Sequence, residues 1–299
     1  MSDRGKSEAW ADFWREDQGG HGGGCLAMAG GELAASQSAL WQDFAALLPK
    51  KARVLDLGTG DGIVLQHMGS RRSDLVLTGV DSAPFLPPAK GKMRLQPNIK
   101  MEELPFAAAS YDAVVSQFGY EYGDTSRAAA EVRRVLANSG RFLFLVHHSD
   151  GPIVAHNRRR AAALRWAAID SGLLDKARTV AAARRTLPLP TPASFVEAVG
   201  EAAGLFGQGS VAGEIAQAVM QSLGPGISPQ DSLASLAEIE RRANAELLRL
   251  EALATAARDH AGAAALVEEL RAPGLEAESA AAVANRSGEP YAWKLAGRG

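Results

Sequence analysis

The segment VLDLGTGDG, residues 54–62, decides the fold. A short apolar run ends at the acidic residue Asp56, and glycines follow at positions 58, 60 and 62. Glycine lets the chain turn tightly and brings bare backbone against a ligand. The amides at the start of the next helix face that ligand, and Asp56 adds an acceptor at the end of the strand. The segment therefore predicts a strand, a ligand-binding loop and a helix.

Two common nucleotide-binding motifs do not fit this loop. The dinucleotide fingerprint G-x-G-x-x-G requires a third glycine where Ile63 stands, if it is counted from Gly58, or where Leu65 stands, if it is counted from Gly60. A phosphate-binding P-loop requires Gly-Lys-Ser/Thr, and this segment does not contain it. The pattern that fits is D-x-G-x-G-x-G.

Strands and helices alternate after the loop. IVLQHMGS is helical in pattern, DLVLTGVD predicts a strand that stops at Asp81, and SYDAVVSQFG predicts a strand from Asp112 to Ser116. SRAAAEVRRVLA predicts a helix that stops at 138–140, and RFLFLVHH predicts the next strand. This alternation predicts a parallel sheet with helices on its faces.

The rest of the chain is mostly helical in pattern, until GLEAESAAAV and YAWKLAG return to strand-like texture near the end. We predict an α/β fold with a doubly wound, mostly parallel, seven-stranded sheet and a large helical insertion between strands 5 and 6. The predicted divisions are 1–50 for N-terminal helices and a glycine-rich flap, 51–150 plus 250–299 for the core, and 151–249 for the insertion. We expect the insertion to cap the carboxyl edge of the sheet.

Two predicted N-terminal helices flank the glycine-rich stretch GGHGGGCLAMAGG. The first carries aromatic residues at 10, 13 and 14, and the second, over 33–48, has one apolar face made of Leu40, Trp41, Phe44, Leu47 and Leu48. The glycine-rich stretch contains His21 and Cys25, but no Cys-x-x-Cys motif or histidine cluster accompanies them. We therefore predict a flap over the active site and no metal site.

Composition limits the classes of function. Hydrophobic residues make up 46% and charged residues 22% of 299 residues, which is ordinary for a globular enzyme. The net charge of −2 lacks the basic excess of a nucleic-acid binder. A single cysteine, no signal-peptide pattern and no apolar run near ~18–20 residues lead us to expect a cytoplasmic protein without a membrane segment. The sequence leaves the oligomeric state open.

The D-x-G-x-G-x-G loop resembles that of the Rossmann-like (class I) S-adenosylmethionine-dependent methyltransferases. Asp81 closes the next strand, MEELPF is similar to the family's segment beside the adenine, and SYDAVVSQFGYEY is similar to its fourth strand and loop. EVRRVLANSGRFLFLV is similar to the following helix, turn and fifth strand. The resemblance covers 53–150 plus the terminal strands. It implies S-adenosylmethionine as the cofactor and methyl transfer as the activity.

The resemblance also implies a set of cofactor-binding residues. Asp81 would accept hydrogen bonds from the ribose hydroxyls, and Ser116 and Gln117 would contact the methionine end. Lys100 departs from the family, which often has Asp or Asn there to accept from the adenine amino group, since a charged lysine has no acceptor. Glu102 or a backbone carbonyl is the expected substitute. The full predicted set is Asp56, Gly58, Thr59, Gly60, Asp81, Ser82, Met101, Glu102, Ser116 and Gln117.

The acceptor side of the site is predicted from the ends of the fourth and fifth strands. A base is needed only if the acceptor arrives protonated. The candidate catalytic residues are Tyr120, Glu121, Tyr122, His147 and His148. Neighbouring strand residues face opposite sides, so one histidine is expected to reach the cleft, with His147 preferred. The alternative is that the histidines cap the strand and the tyrosines pack beside it.

We predict a methyltransferase that acts on a small molecule. The alternatives left open are a tRNA or protein methyltransferase, a non-methylating enzyme that uses the same cofactor, and a non-catalytic cofactor-binding protein. The segment SQFGYEY lacks the Asn/Asp-Pro-Pro-Tyr/Phe signature of many amino-group methylators. The intact glycine loop disfavours a non-catalytic protein. No residue selects the acceptor atom.

Overall fold

The computed structural model of the protein describes residues 10, 13–15 and 31–299. The chain divides into two units, Met1–Ala155 with Ala252–Gly299, and His156–Glu251. The predicted flap residues His21 and Cys25 lie outside the described residues. Within the described part of the chain, no helix has the length and the apolar composition that crossing a membrane would require.

The first unit is built on one sheet. Its strands are β1 (Arg53–Leu57), β2 (Val76–Val80), β3 (Met93–Gln96), β4 (Tyr111–Gln117), β5 (Leu136–His147), β6 (Glu276–Ala277), β7 (Ala281–Ala284) and β8 (Pro290–Arg298). The order is β3-β2-β1-β4-β5-β8-β6, with β7 also paired to β8. Strands β1 to β5 pair in parallel, and β8 is antiparallel to β5. This is the predicted Rossmann-like, doubly wound sheet. Strand β1 lies inside it, and the later strands are added on both sides of β1.

Strands β6 and β7 occupy one position in the sheet. Glu276 pairs with Arg298, and Ala281 pairs with Lys294, both antiparallel on β8. The second pairing is offset by a single residue from the first, so β6 and β7 are two segments of one interrupted edge strand. The eight described strands therefore fill the seven positions that the sequence predicts.

Two local features differ from the sequence predictions. Strand β3 has no counterpart among the predicted segments, because its four residues, three half-buried and one exposed, carry too weak a pattern. The predicted stop at 138–140 is not a separate turn, since the preceding helix ends at Val135 and β5 begins at Leu136. The register between β4 and β5 instead shifts after Leu136, which pairs with Tyr111, and before Arg141, which pairs with Ala113. Residues 138–140 lie within this irregularity.

The described helices are α1 (Gly31–Ala46), α2 (Ile63–Arg71), α3 (Thr125–Val135), α4 (Pro152–Arg165), α5 (Leu173–Ala183), α6 (Ser194–Phe206), α7 (Val211–Ser222), α8 (Pro229–Ala256) and α9 (His260–Arg271). A 3₁₀ turn covers Tyr120–Tyr122, and a π turn covers Trp166–Asp170. Residues 10 and 13–15 are also helical. The unit His156–Glu251 has a separate apolar core that includes Leu164, Phe195, Val219 and Leu236. That residues 151–249 cap the sheet stays a prediction.

Helices cover both faces of the sheet. Alternate strand residues, such as Leu55 and Phe144, pack with α3 and α9 in one apolar cluster. Their neighbours Val54 and Leu145 pack with α1 and α2 in the other cluster. We call the second side the α1 face. It carries the candidate site.

The apolar face of helix α1 differs from the predicted one at a single residue, Leu47. Trp41, Phe44 and Leu48 are buried as expected, but Leu47 is 61% exposed because the helix ends at Ala46 and the chain turns there. The polar residue Gln37, which the sequence analysis did not single out, is buried with only 2% exposure. Because it is buried on the packed face of α1, its amide group is expected to have a hydrogen-bond partner.

Candidate functional site

Three neighbouring strands bring polar side chains to the α1 face at their carboxyl ends. Asp56 on β1 pairs with Val115 on β4, Gln117 on β4 pairs with Leu145 on β5, and His147 follows Leu145 by two residues. Because side chains alternate along a strand, Asp56, Gln117 and His147 all point to this side of the sheet. Open parallel sheets bind ligands at this edge.

The loop after β1 has a backbone that demands glycine. Gly58, Gly60 and Gly62 have φ angles of 64°, 52° and 76°, in the left-handed region. A Cβ atom on Gly58 would lie 2.9 Å from Cα of Gly119, which follows β4. The loop therefore packs closely against the backbone that follows β4, and a side chain at Gly58 would displace that backbone.

Asp56 is a buried acid at the base of this loop. Its Oδ2 accepts a hydrogen bond from the Thr59 hydroxyl at 2.7 Å. Burial raises the pKa of Asp56 to about 8; the Thr59 bond opposes the shift, and the negative charges of Asp81 and Asp61 add to it. Oδ1 is buried and has no hydrogen-bond partner in the described part of the chain. The carboxyl group can thus accept a donor from a bound ligand, which fits the predicted cofactor.

Asp81 joins the glycine loop to the end of β2. Its Oδ2 accepts from the Gly60 amide at 3.0 Å, and its Oδ1 accepts from the Ala83 amide at 2.9 Å. Burial raises the pKa of Asp81, and the backbone hydrogen bonds from Ala83 and Gly60 oppose the rise. Each carboxylate oxygen can accept a second hydrogen bond. Asp81 is therefore placed to hold the loop and a ligand hydroxyl together.

Several other residues predicted to bind the cofactor contact other parts of the chain. The Thr59 side chain lies against Gly79, and the Ser116 hydroxyl donates to the Leu57 carbonyl at 2.7 Å. Glu102 Oε1 accepts from the Asp124 amide at 2.8 Å, which fixes the loop after β4. Of the remaining two, Ser82 is exposed and Met101 is half-buried. The adenine contacts expected near Glu102 stay predictions.

Gln117 is oriented by helix α1. Its Oε1 accepts from Nε1 of Trp41 at 2.6 Å, and its Nε2 lies 3.4 Å from Oε1 of Gln37. Neither Trp41 nor Gln37 was a predicted site residue. A polar residue at helical spacing between apolar neighbours is the sequence signal that could have identified Gln37.

His147 and Glu121 form a buried pair. Oε1 of Glu121 lies 2.8 Å from Nδ1 of His147 and also accepts from the backbone amide of His147 at 3.0 Å. Both side chains are completely buried. The two contacts from one oxygen fix the ring's position and favour a proton on Nδ1. The structure brings together two of the predicted catalytic residues.

Aromatic rings surround this pair. The Phe118 ring stacks on the His147 imidazole with centroids 4.1 Å apart, and Tyr122 meets it edge-on at 6.2 Å. Phe118 has a φ of 56°, a strained value for a residue with a Cβ. Trp10 meets Tyr122 edge-on at 6.0 Å, and Trp14 lies against Gly60. An aromatic wall thus extends from the glycine loop to the histidine.

Two predicted catalytic residues lie elsewhere. His148 points to the opposite face of the sheet, where its ring stacks on Trp293 at 4.7 Å. Tyr120 is completely buried, stacks on Phe144 and donates its hydroxyl to the Thr125 carbonyl at 2.8 Å. Burial raises the pKa of Tyr120 far above its usual value. This placement favours packing for both residues.

Comparison with known proteins agrees with the resemblance predicted from the sequence. A family model described as a methyltransferase domain matches residues 55–144. Demethylmenaquinone methyltransferase of Thermotoga maritima is 35% identical over 97 residues, 31% of this chain and 42% of the relative. Malonyl-[acyl-carrier protein] O-methyltransferase of Geobacter sulfurreducens is 35% identical over 100 residues, 31% of this chain and 38% of the relative. The chain thus spans less than half the length of these curated relatives.

A solved structure of an S-adenosylmethionine-dependent methyltransferase from Thermotoga maritima, described as a possible histamine N-methyltransferase, is also similar. It has 16% sequence identity and a TM-score of 0.41, and the match covers 52% of this chain and 69% of that one. The methyltransferase domain at residues 55–144 is as the sequence predicted.

Proposed function

We propose that this chain, which carries a class I S-adenosylmethionine-dependent methyltransferase domain, methylates a small molecule whose nucleophilic atom arrives protonated. In this proposal His147 accepts the proton and Glu121 positions His147. The single observation that carries it is the 2.8 Å contact between Oε1 of Glu121 and Nδ1 of His147 at the carboxyl edge of the sheet. Such a pair is the usual way to hold an imidazole as a base.

In this proposal each ring nitrogen of His147 has its own role. A carboxylate accepts and does not donate, so Nδ1 carries the hydrogen, and Nε2 is the nitrogen whose lone pair can take a proton. When Nε2 is protonated, the imidazolium is stabilised by the neighbouring negative charge of Glu121. Glu121 therefore favours the charged form that proton transfer produces.

The bound cofactor supplies a methyl group on a positively charged sulfur, which is a good leaving group. The chain then has three tasks: to position the acceptor, to exclude water and to take its proton. Asp56 and Asp81 lie at the glycine loop, and His147 lies two strands away on the same face. In this proposal, cofactor binding and proton removal therefore depend on separate residues.

Access to His147 requires a ring to move. The imidazole is completely buried, with Phe118 against its face and Tyr122 at its edge. We propose that an acceptor displaces one of these rings and takes its place beside Nε2. An aromatic surrounding favours an apolar or ring-bearing acceptor over a strongly charged one.

Two observations support the small-molecule class. The two relatives are a demethylmenaquinone methyltransferase and a malonyl-[acyl-carrier protein] O-methyltransferase, and each match covers 31% of this chain. The chain also has a net charge of −2, which gives no electrostatic attraction to tRNA.

The experiment is a transfer assay with methyl-labelled S-adenosylmethionine and separate pools of small phenols, alcohols, amines, bulk tRNA and protein. We expect label in at least one small-molecule pool. The Asp81→Ala variant is the control for cofactor dependence, because it should weaken binding by about 1–3 kcal/mol. Label only in tRNA or protein contradicts the small-molecule class. Failure of the wild-type chain to bind S-adenosylhomocysteine contradicts the activity as a whole.

A further inference from the structure

The amino edge of the sheet carries an excess of positive charge. Strands β1, β2 and β3 are neighbours and run in parallel, so the residues that precede or begin them lie along one edge. Eight basic residues lie there: Lys50, Lys51, Arg53, Arg71, Arg72, Lys90, Lys92 and Arg94. The same segments and the start of β4 contain two acidic residues, Asp74 and Asp112. The local balance is therefore strongly positive, although the chain as a whole has a net charge of −2.

Both acidic residues pair with cations of this edge. Oδ1 of Asp74 accepts from Nε of Arg72 at 2.8 Å, and its Oδ2 accepts from the backbone amide of Lys51 at 2.8 Å. Asp112 accepts from the backbone amide of Arg53 at 2.8 Å and pairs with its guanidinium group at 3.2 Å. These two pairs offset the charges of Arg72 and Arg53. The other six basic residues are exposed and give the edge its positive charge.

Backbone contacts hold this edge in a fixed shape. At the end of α2, the Arg72 guanidinium donates to the carbonyls of Leu48 at 3.2 Å and Pro49 at 3.1 Å. The amide of Val76 donates to the carbonyl of Ala52 at 2.9 Å. The turn after α1, which carries two of the lysines, is thereby tied to the start of β2. A surface that is already ordered loses little conformational entropy when it binds a partner.

Two apolar side chains are exposed among these cations. Leu47, in the turn after α1, is 61% exposed, and Val76, the first residue of β2, is 54% exposed. An open pocket of about 400 Å³ lies in the same region and is lined by Leu48, Lys50, Lys51, Arg72 and Asp74. Exposed apolar side chains surrounded by lysine and arginine are typical of surfaces that bind an anionic membrane.

Other polyanions fit this surface less well. Sites for single-stranded nucleic acid stack bases on aromatic side chains, and the segments 50–53, 71–76 and 90–94 contain no aromatic residue. An acidic peptide follows one groove or one strand edge. These cations are instead distributed over the starts of three strands. The arrangement therefore favours an extended anionic surface.

We propose that the amino edge of the sheet binds the surface of a membrane that contains anionic phospholipids. The exposed lysines and arginines contact the headgroup phosphates, and Leu47 and Val76 enter the boundary between the headgroups and the acyl chains. Such binding is peripheral and requires no spanning helix. Strand β1 has five residues, so this edge lies roughly 16 Å from the carboxyl edge, where the candidate site lies. Membrane binding is therefore separate from the proposed function and does not depend on it.

The test is sedimentation of the full chain with vesicles of phosphatidylcholine alone or of phosphatidylcholine mixed with phosphatidylglycerol. We expect binding to the mixed vesicles and much weaker binding to the neutral ones. Binding should fall at high ionic strength, where charge attraction is screened. Lys50→Glu combined with Lys51→Glu should weaken binding to the mixed vesicles about 10- to 100-fold, since each cation near an anionic surface contributes to the attraction. Leu47→Ser should weaken it about 3- to 10-fold through lost apolar burial.

The matched control for charge is Lys100→Glu combined with Arg127→Glu. Both residues are exposed near the carboxyl edge, and this variant has the same net charge as the lysine variant. It should bind the mixed vesicles as the wild type does. Leu205→Ser, at a residue that is 58% exposed, is the control for Leu47→Ser. A melting curve of each variant checks folding.

Three results overturn the proposal: no binding to either vesicle, equal binding to both, or equal loss in the two charge variants. Polyglutamate and bulk tRNA are titrated at the same ionic strength as competing probes. If either binds more tightly than the mixed vesicles and is lost in the Lys50 and Lys51 variant, the edge binds another polyanion and the membrane proposal is overturned.

Discussion

The glycine loop after β1 and the segment after β4 lie side by side but are built in different ways. The loop is defined by its own backbone, with three glycines at positive φ and a contact between Asp56 and Thr59, three residues apart. The segment after β4 is defined by side chains that meet across long sequence distances. Glu121 contacts His147, and Gln117 contacts Gln37.

This difference separates two functions. In our proposal, the loop supplies backbone and acids for the cofactor. The segment after β4 supplies Glu121 and aromatic rings, which contact His147 at the end of β5 and which, in our proposal, hold it as a base. We therefore expect substitutions in the two regions to affect different measurements.

The largest effect is expected at His147. Replacing it by Ala should lower single-turnover methyl transfer about 10²–10⁴-fold, because the protonated acceptor loses its base. S-adenosylhomocysteine affinity should stay nearly constant, since the loop is untouched. His148→Ala is the matched control, because its ring lies on the opposite face against Trp293. Wild-type turnover in His147→Ala means that positioning alone suffices. Parallel loss of turnover and cofactor affinity indicates a collapsed strand end and contradicts the separation of the two regions.

A structural effect of similar size is expected at Gly58. Gly58→Ala should lower the free energy of unfolding by about 2–5 kcal/mol, because the residue has a positive φ and its Cβ meets Gly119 backbone. Gly91→Ala is the control, since Gly91 has a φ of 73° but open space around its Cβ. It should cost only the backbone strain, about 1–2 kcal/mol. Chemical denaturation measures both, and equal costs contradict a close contact between the loop and the β4 exit.

The smallest effect is a pH dependence at Asp56. Because burial raises the pKa of its carboxyl group to about 8 in the folded state, the folded chain holds a proton that the unfolded chain releases near pH 4. The contribution of Asp56 to the free energy of unfolding should therefore be largest at low pH and fall between about pH 4 and pH 8. Asp81 also has a raised pKa and contributes in the same direction.

Asp56→Asn removes this titration and keeps an oxygen for the Thr59 hydroxyl. Its melting temperature should match that of the wild type near pH 4 and exceed it by a few degrees at pH 8, without ligand. Thermal melts across this pH range measure the difference. A constant difference at every pH contradicts the raised pKa of Asp56.

The two regions also differ in how far the sequence predicts them. The glycine loop, Asp56 and Asp81 follow from local residue types, because the strand, turn and helix are close in the chain. The sequence also predicts that His147 and His148 face opposite sides, from strand alternation alone. It does not predict that Glu121 is the partner of His147, because that contact depends on the register between β4 and β5.

The errors have physical reasons as well. The sequence does not predict strand β3, because its four residues at the sheet edge, three half-buried and one exposed, carry little pattern. Leu47 was placed inside because the helix was expected to run to residue 48, but it ends at Ala46. Gln37 was overlooked because a polar residue on an apolar face looks like an interruption of the pattern until its partners Gln117 and Trp41 are known.

The most direct test of the account is a crystal structure with S-adenosylhomocysteine bound. We predict that its ribose lies at Asp81, its methionine end lies at Ser116 and Gln117, and its sulfur faces the side of the sheet that holds His147. The vacant methyl side of the sulfur should then open toward Phe118 and Tyr122. A sulfur that faces the opposite side of the sheet, toward His148 and Trp293, contradicts the assignment of His147 as the proton acceptor.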